Sequence, residues 1–206
     1  HGNTFYEMYS HQVANVCYDK MNETAYDYDE DIVADFKKNG YVNYGGKNYV
    51  WFHLMGQHFA FTDRCPNDKK VFQIKDIKRT DGYLTNEMKQ VIADYDNAVH
   101  YNDEVLKSII DLFRNTNSVL VFISDHGEEA YDYRAKTSRP AMETGLESEY
   151  AHCQYDVPLF VWCSDQYLKK HKDVIKELKS SKGHSSMSDK IGYSMLRLAQ
   201  VKTKYY

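Results

Sequence analysis

The chain has 206 residues, a formal charge of −4 and 42% hydrophobic residues, which is typical of one globular domain. The slightly acidic balance gives no electrostatic support for nucleic-acid binding, so we expect no nucleic-acid partner. No stretch reaches the roughly 18 to 20 apolar residues that a membrane-spanning helix needs. The sequence therefore predicts a single domain over residues 1–206.

Four cysteines are scattered along the chain, and none of them forms a C-x-x-C pair. They are Cys17, Cys65, Cys153 and Cys163. This number is too small for a disulfide-stapled mini-domain. One or two disulfides and four buried thiols are both compatible with the sequence.

The first half of the chain alternates between helical and extended patterns. Ile32, Val33 and Phe36 have helical spacing and predict a helix over 29–39 that ends at Gly40. A β-rich run at 47–55 predicts a strand, and the lysine-rich segment 65–81 predicts an excursion over the surface. The longest helical pattern covers 85–113, with a break expected near 101–103.

The second half adds two apolar runs that predict strands over 119–124 and 157–163. A polar connection at 128–156 separates them, and helices are predicted over 165–178 and 188–201. Alternating strands and helices favour an α/β fold with a largely parallel sheet sandwiched by helices.

The strand predicted over 119–124 ends abruptly in Asp125, His126 and Gly127. A carboxylate oxygen next to an imidazole nitrogen suits zinc or manganese better than calcium. We expect Gly127 to let the chain turn sharply beside the ion. The alternative is an ordinary polar turn, because Asp and Gly are common in loops.

Further histidines accompany the other predicted strands. His53 and His58 lie at the end of the first strand, and His152 precedes the last one. Ligands of α/β folds gather where loops leave the carboxyl ends of strands. A lone histidine is more often structural than a ligand, but histidines on several such elements predict a metal-dependent site.

The connection at 128–156 is unusually long for a compact domain and mixes acidic, cationic and aromatic residues. One interpretation is a substrate-recognition lid whose cations, such as Arg134 and Arg139, bind an anionic head group. The other interpretation is a solvated surface loop.

Four short motifs follow one another along the chain. In order they are H-x-M-G-x-H at 53–58 with Arg64-Cys65-Pro66, Y-D-N-x-V at 95–99 with Y-x-D at 101–103, S-D-H-G-E at 124–128, and His152 followed by V-P-x-x-x-W at 157–162. Together they resemble the signature of the phosphoethanolamine transferases that modify lipid A or the lipopolysaccharide core. That family belongs to the alkaline phosphatase and sulfatase superfamily, and Cys65 stands where it has a tyrosine.

The resemblance implies an alkaline phosphatase-like fold, of which this chain is a partial domain, and it implies Zn²⁺ as cofactor. Asp125 and His126 would bind the catalytic zinc, and His58 and His152 a second zinc or the substrate phosphate. His53 would orient the site through a hydrogen bond. The family's threonine nucleophile and acidic zinc ligand have no counterpart here, so we expect them upstream and expect this stretch alone to be inactive.

The function implied is zinc-dependent transfer of phosphoethanolamine from phosphatidylethanolamine to a lipopolysaccharide acceptor. The place implied is the periplasmic face of a Gram-negative inner membrane, to which N-terminal helices would anchor the parent protein. One alternative is a sulfatase or phosphodiesterase-type hydrolase of the same superfamily. A second alternative is a binding or scaffold domain without a nucleophile. The paired H-x-M-G-x-H and D-H-G-E motifs favour the transferase, whereas the C-x-P-S-R-type nucleophile motif that is usual in sulfatases is not present in this sequence.

Overall fold

The structure is a computed structural model and describes residues 26–40, 46–137 and 148–202. Its helices and strands in chain order are α1 (Asp29–Asp35), α2 (Asn86–Phe113), β1 (Val119–Ile123), α3 (Ser148–Tyr155), β2 (Leu159–Cys163), α4 (Asp165–Lys170), α5 (Lys172–Ser181) and α6 (Ile191–Leu198). A π-helical turn, Phe36–Gly40, extends α1 to the glycine that the sequence predicts as its end.

The two strands pair with each other in an antiparallel sheet, from Val119 opposite Cys163 to Ile123 opposite Leu159. The prediction of a largely parallel sheet is therefore wrong for this pair. The chain between the strands returns at the end of the sheet where β1 finishes, so β2 starts beside the end of β1. The stacked rings of Phe122 and Phe160, 5.1 Å apart, reinforce this register.

Helices cover both faces of β1, as predicted. Leu120 and Phe122 pack against the core that α2 builds around Tyr101 and Val105. On the opposite face, Val119 and Val121 pack against a second core from the C-terminal helices, with members Tyr167, Val174 and Leu198. Burial on two faces explains why the strand is apolar at every position instead of alternating.

Helix α2 is the longest element and runs unbroken through residues 101–103, where a break was predicted. The hydroxyl of Thr85 accepts from the Met88 amide and caps its N-terminus. Tyr101 and Asn102 are buried on the core side of the helix, so the polar residues of that stretch do not interrupt it. Among the described residues, no helix combines the length and the apolar character required to cross a membrane.

The strand predicted over 47–55 is wrong: the segment is extended but pairs with no strand in the described part of the chain. Phe52 and Leu54 pack on the α2 core while Trp51 and His53 are exposed, which accounts for the alternation in the sequence. The helix predicted over 165–178 divides into α4 and α5 at His171, whose backbone leaves the helical region.

Candidate metal centre

The end of β1 continues into Ser124–Gly127, which we call the β1 tip. The Ser124 hydroxyl donates to the His126 carbonyl at 2.7 Å, and the His126 amide donates to Asp125 Oδ1 at 3.0 Å. The ends of the two side chains lie close together, with 3.6 Å between Asp125 Oδ2 and His126 Nε2. The Asp125 side chain is 87% exposed, so water or a ligand reaches the pair freely.

The spacing of these two atoms fits zinc. Two ligands that each lie about 2.0 Å from a tetrahedral zinc ion are separated by about 3.3 Å. The observed 3.6 Å is close to that edge length without any movement of the backbone. One carboxylate and one imidazole leave further coordination positions for other ligands or for substrate.

The rings of the three predicted ligand histidines are held in one common way. Nδ1 of His126 lies 2.8 Å from the Gly127 carbonyl oxygen, and Nδ1 of His58 lies 2.6 Å from the Phe59 carbonyl oxygen. Nδ1 of His152 lies 2.6 Å from Asp156 Oδ2. Because each partner oxygen is an acceptor, Nδ1 must carry the proton, and in the neutral ring Nε2 keeps its lone pair. This arrangement is the usual one for histidines that bind metals.

Helix α3 contacts the β1 tip through backbone atoms. The Gly127 amide donates to the Gln154 carbonyl at 2.9 Å. A Cβ atom on Gly127 would lie only 2.1 Å from the Cys153 carbonyl oxygen. Glycine is therefore required here for close approach of two backbones. The contact places the end of the helix that carries His152 beside Asp125 and His126.

A buried ion pair that the sequence does not predict strengthens this junction. Glu129 has no exposed surface, and its two carboxylate oxygens accept from Nε and an Nη of Arg134 at 2.8 and 2.9 Å. The guanidinium also lies 4.1 Å from the ring centroid of Tyr150 in α3. The interpretation of Arg134 as a lid cation for a head group is wrong, because this side chain is bound inside the fold. Arg139 lies outside the described residues.

The segment that carries His53 and His58 is anchored by Asp29, a second residue that sequence reasoning missed. The Asp29 carboxylate accepts from the Met55 and Gly56 amides at 2.9 and 2.8 Å and is 5% exposed. The His58 amide closes the turn by donating to the Met55 carbonyl, and Gly56 takes a φ of +52° that favours glycine. In the sequence Asp29 carried only the signal of an acidic residue at a helix start.

The three described cysteines are free thiols, and Cys17 lies outside the described residues. Burial raises the pKa of the Cys153 thiol, and the negative charges of Asp132 and Glu129 act in the same direction. Burial also raises the pKa of Cys65. Neither thiol has the lowered pKa of a nucleophilic cysteine.

The structure brings Asp125 and His126 together and sets the helix of His152 beside them. Within residues 26–40, 46–137 and 148–202, however, no three His, Cys, Asp or Glu side chains converge on one point where they could hold a metal ion. His58 and His53 are exposed, and the His53 ring lies 6.3 Å from that of Trp51. The roles of His58, His152 and His53 therefore stay predictions.

Comparison with known proteins identifies the fold and the relatives of this chain. The sulfatase family model matches residues 2–201. Phosphoethanolamine transferase EptC of Escherichia coli O18:K1:H7 (strain RS218 / NMEC) is 30% identical over 82% of this chain and 29% of its own length. Kdo(2)-lipid A phosphoethanolamine 7''-transferase of E. coli K12 is 31% identical over 67% of this chain and 23% of its own.

A solved structure gives the same relationship. The crystal structure of the C-terminal periplasmic domain of E. coli EptC in complex with Zn matches with a TM-score of 0.61 and 29% identity. The match covers 82% of this chain and 47% of that one. The chain thus spans less than a third of the two curated relatives and about half of the EptC domain.

These matches confirm the predicted α/β, alkaline phosphatase-like class as a partial domain, and they confirm the resemblance to phosphoethanolamine transferases. The zinc in the EptC crystal agrees with the donor set at the β1 tip. Because the sulfatase family model matches nearly the whole length of the chain, the chain belongs to the sulfatase family.

Proposed function

We propose that this chain forms part of a zinc-dependent phosphoethanolamine transferase that moves the group from phosphatidylethanolamine to lipid A or the lipopolysaccharide core. The observation that carries the proposal is the Asp125 and His126 pair, with 3.6 Å between Oδ2 and Nε2 and open access to solvent. The names of the relatives supply the group transferred and the acceptor class.

Each residue of the β1 tip has a defined part in this proposal. Asp125 and His126 would hold zinc through a carboxylate oxygen and Nε2, and the Gly127 carbonyl oxygen, 2.8 Å from Nδ1, would fix the orientation of the His126 ring. When bound, zinc supplies a Lewis acid that offsets the charge developing on the phosphoryl oxygens. His58 and His152 would bind the phosphate or a second zinc through Nε2, and His53 would orient the site.

The nucleophile is not among the residues assigned here, and we propose that an upstream threonine supplies it. Cys65 does not replace it, because this side chain is 1% exposed and out of reach of a substrate phosphate. We propose that the reaction takes place at the periplasmic face of a Gram-negative inner membrane, where the parent protein would be anchored; the similarity to a periplasmic domain supports this location.

A hydrolase is the second candidate, because the family model that matches is described as sulfatase. The same β1 tip would then hold zinc while water takes the place of the acceptor. The two candidates differ in product: the transferase yields a modified glycolipid, and the hydrolase releases the free group.

Zinc titration of the chain by calorimetry tests the metal site separately from the reaction. We expect His126→Ala to weaken zinc binding at least tenfold, because it removes one of the two assembled ligands. His184→Ala, an exposed histidine remote from the tip in sequence, is the matched control and should bind zinc like the wild type. Equal zinc affinity in both variants would contradict the metal assignment.

Activity is measured with the parent protein in membranes that contain phosphatidylethanolamine and lipid A. We expect phosphoethanolamine-modified lipid A from the wild type and from His184→Ala, and none from His126→Ala at unchanged Tm. Release of free phosphoethanolamine without modified lipid would favour the hydrolase. Undiminished transfer by His126→Ala would rule out the proposed role of the β1 tip.

A further inference from the structure

An exposed apolar run at residues 71–74 lies away from the β1 tip in sequence. It follows the short 3₁₀ turn Asn67–Lys69 and ends at the first residue of the next one, Ile74–Asp76. Val71 is 54% exposed, and Phe72 and Ile74 are each 36% exposed. Single exposed apolar residues are ordinary on protein surfaces, but three within four positions form a patch that water solvates poorly.

The backbone of this run is held rigidly in its exposed position by Asn97 of α2. The Asn97 Oδ1 accepts from the Val71 and Phe72 amides at 2.7 and 2.8 Å, and its Nδ2 donates to the Phe72 carbonyl at 2.9 Å. Asn97 is 1% exposed, so these bonds are protected from water. The anchored backbone keeps the apolar side chains at the surface and prevents them from folding back into the core.

Cations flank the apolar run on both sides. Residues 69–79 contain five Lys or Arg and one Asp, in a chain whose formal charge is −4. The outer two of these cations are paired, Lys69 with Glu30 and Arg79 with Asp81, and the half-buried Lys70 donates to the Thr62 carbonyl oxygen at 2.9 Å. Lys75 and Lys78 are exposed, and the Lys78 ammonium donates only to the Lys75 carbonyl oxygen among the contacts described. Their charge is therefore available to a partner.

We propose that residues 70–78, the apolar–basic segment, dock on an anionic phospholipid surface. Exposed apolar side chains between lysines match the two layers of such a surface, the acyl boundary and the negatively charged head groups. Three apolar side chains are too few for a stable protein interface of about 1,200 Å² or more, whereas attraction to a charged bilayer adds about 1 kcal/mol for each lysine. The inference concerns binding alone and does not depend on the proposed function.

Sedimentation of the chain with vesicles tests the electrostatic half of the proposal. The vesicles contain phosphatidylethanolamine and phosphatidylglycerol at 3:1, and vesicles of phosphatidylcholine are the neutral comparison. Lys75→Gln combined with Lys78→Gln should weaken binding about 25-fold, which corresponds to about 1 kcal/mol for each charge. The matched control is Lys176→Gln combined with Lys179→Gln, which removes two exposed lysines of α5 and should leave binding unchanged.

The apolar half is tested by Val71→Ser combined with Ile74→Ser, which keeps every charge and should weaken binding about tenfold. Met187→Ser, at a position 73% exposed elsewhere, is its control and should bind like the wild type. Because all substituted side chains are exposed, we expect unchanged far-UV circular dichroism. The proposal would be overturned if the wild type bound phosphatidylcholine vesicles as tightly as the anionic ones or bound no vesicles at all. It would also be overturned if the control variants lost as much vesicle affinity as the variants of the segment.

Discussion

Replacement of Gly127 by alanine should lower the free energy of unfolding by about 2–4 kcal/mol. The added Cβ would lie 2.1 Å from the Cys153 carbonyl oxygen and 3.0 Å from its carbonyl carbon, so β1 and α3 must separate. Overpacking of this kind costs about 1–3 kcal/mol. Separation also breaks the bond from the Gly127 amide to the Gln154 carbonyl, which costs about 1 kcal/mol more.

Urea unfolding followed by far-UV circular dichroism measures this difference. Gly192→Ala is a matched control because a Cβ there meets nothing within 4 Å and the residue lies in α6. Alanine should stabilise that helix by about 0.5–1 kcal/mol. The free energy of unfolding should therefore rise in Gly192→Ala and fall in Gly127→Ala. If the free energy of unfolding of Gly127→Ala lies within about 0.5 kcal/mol of the wild-type value, the close approach of the β1 tip to α3 does not require glycine.

Two further predictions concern charged groups. Glu129→Ala leaves the largely buried Arg134 guanidinium without its bidentate partner and should lower the free energy of unfolding in urea by about 3–5 kcal/mol. Adding Arg134→Met to this variant should recover part of the lost stability. An additive loss in the double variant would contradict the coupling of the two residues. The Arg197 guanidinium holds the pKa of the exposed Asp173 and Glu177 carboxyls below their ordinary values through hydrogen bonds. Because folding lowers these two pKa values, the stabilisation is complete above their unfolded values and is lost as the pH falls through the folded ones. Carboxyl NMR titration should find both values raised in Arg197→Gln, and unchanged values would refute the pairing.

The sequence predicted most of the helices and both strands of the described sheet, because their apolar spacing reflects local geometry. It could not predict the direction of strand pairing, since β1 is apolar at every position in either arrangement. The extended run at 47–55 illustrates the same limit. Alternate burial of Phe52 and Leu54 produces a strand-like pattern even where no neighbouring strand pairs with the segment.

At the candidate site, Asp125 and His126 could be selected from the sequence because they directly follow the apolar run of β1, and the structure places their side-chain ends 3.6 Å apart. Asp29 and Glu129 were not, because each acts on a partner that the linear sequence does not mark. Asp29 binds amides 26 and 27 residues away, and an amide donor can belong to any residue but proline. Glu129 stood among several charges, and only its complete burial distinguishes it.

The antiparallel register has a consequence for how this fold tolerates change in length. Both ends of the connection from β1 to β2 are fixed beside the β1 tip, one by the pair of Glu129 and Arg134 and the other by the bond from Gly127 to Gln154. Doubling the length of a loop between fixed ends costs only about 0.6 kcal/mol. Insertions or deletions between residues 137 and 148 can therefore be accommodated while the Asp125 and His126 side chains keep their places. The connection between the strands is thus a part of this chain where length can change at little cost to folding.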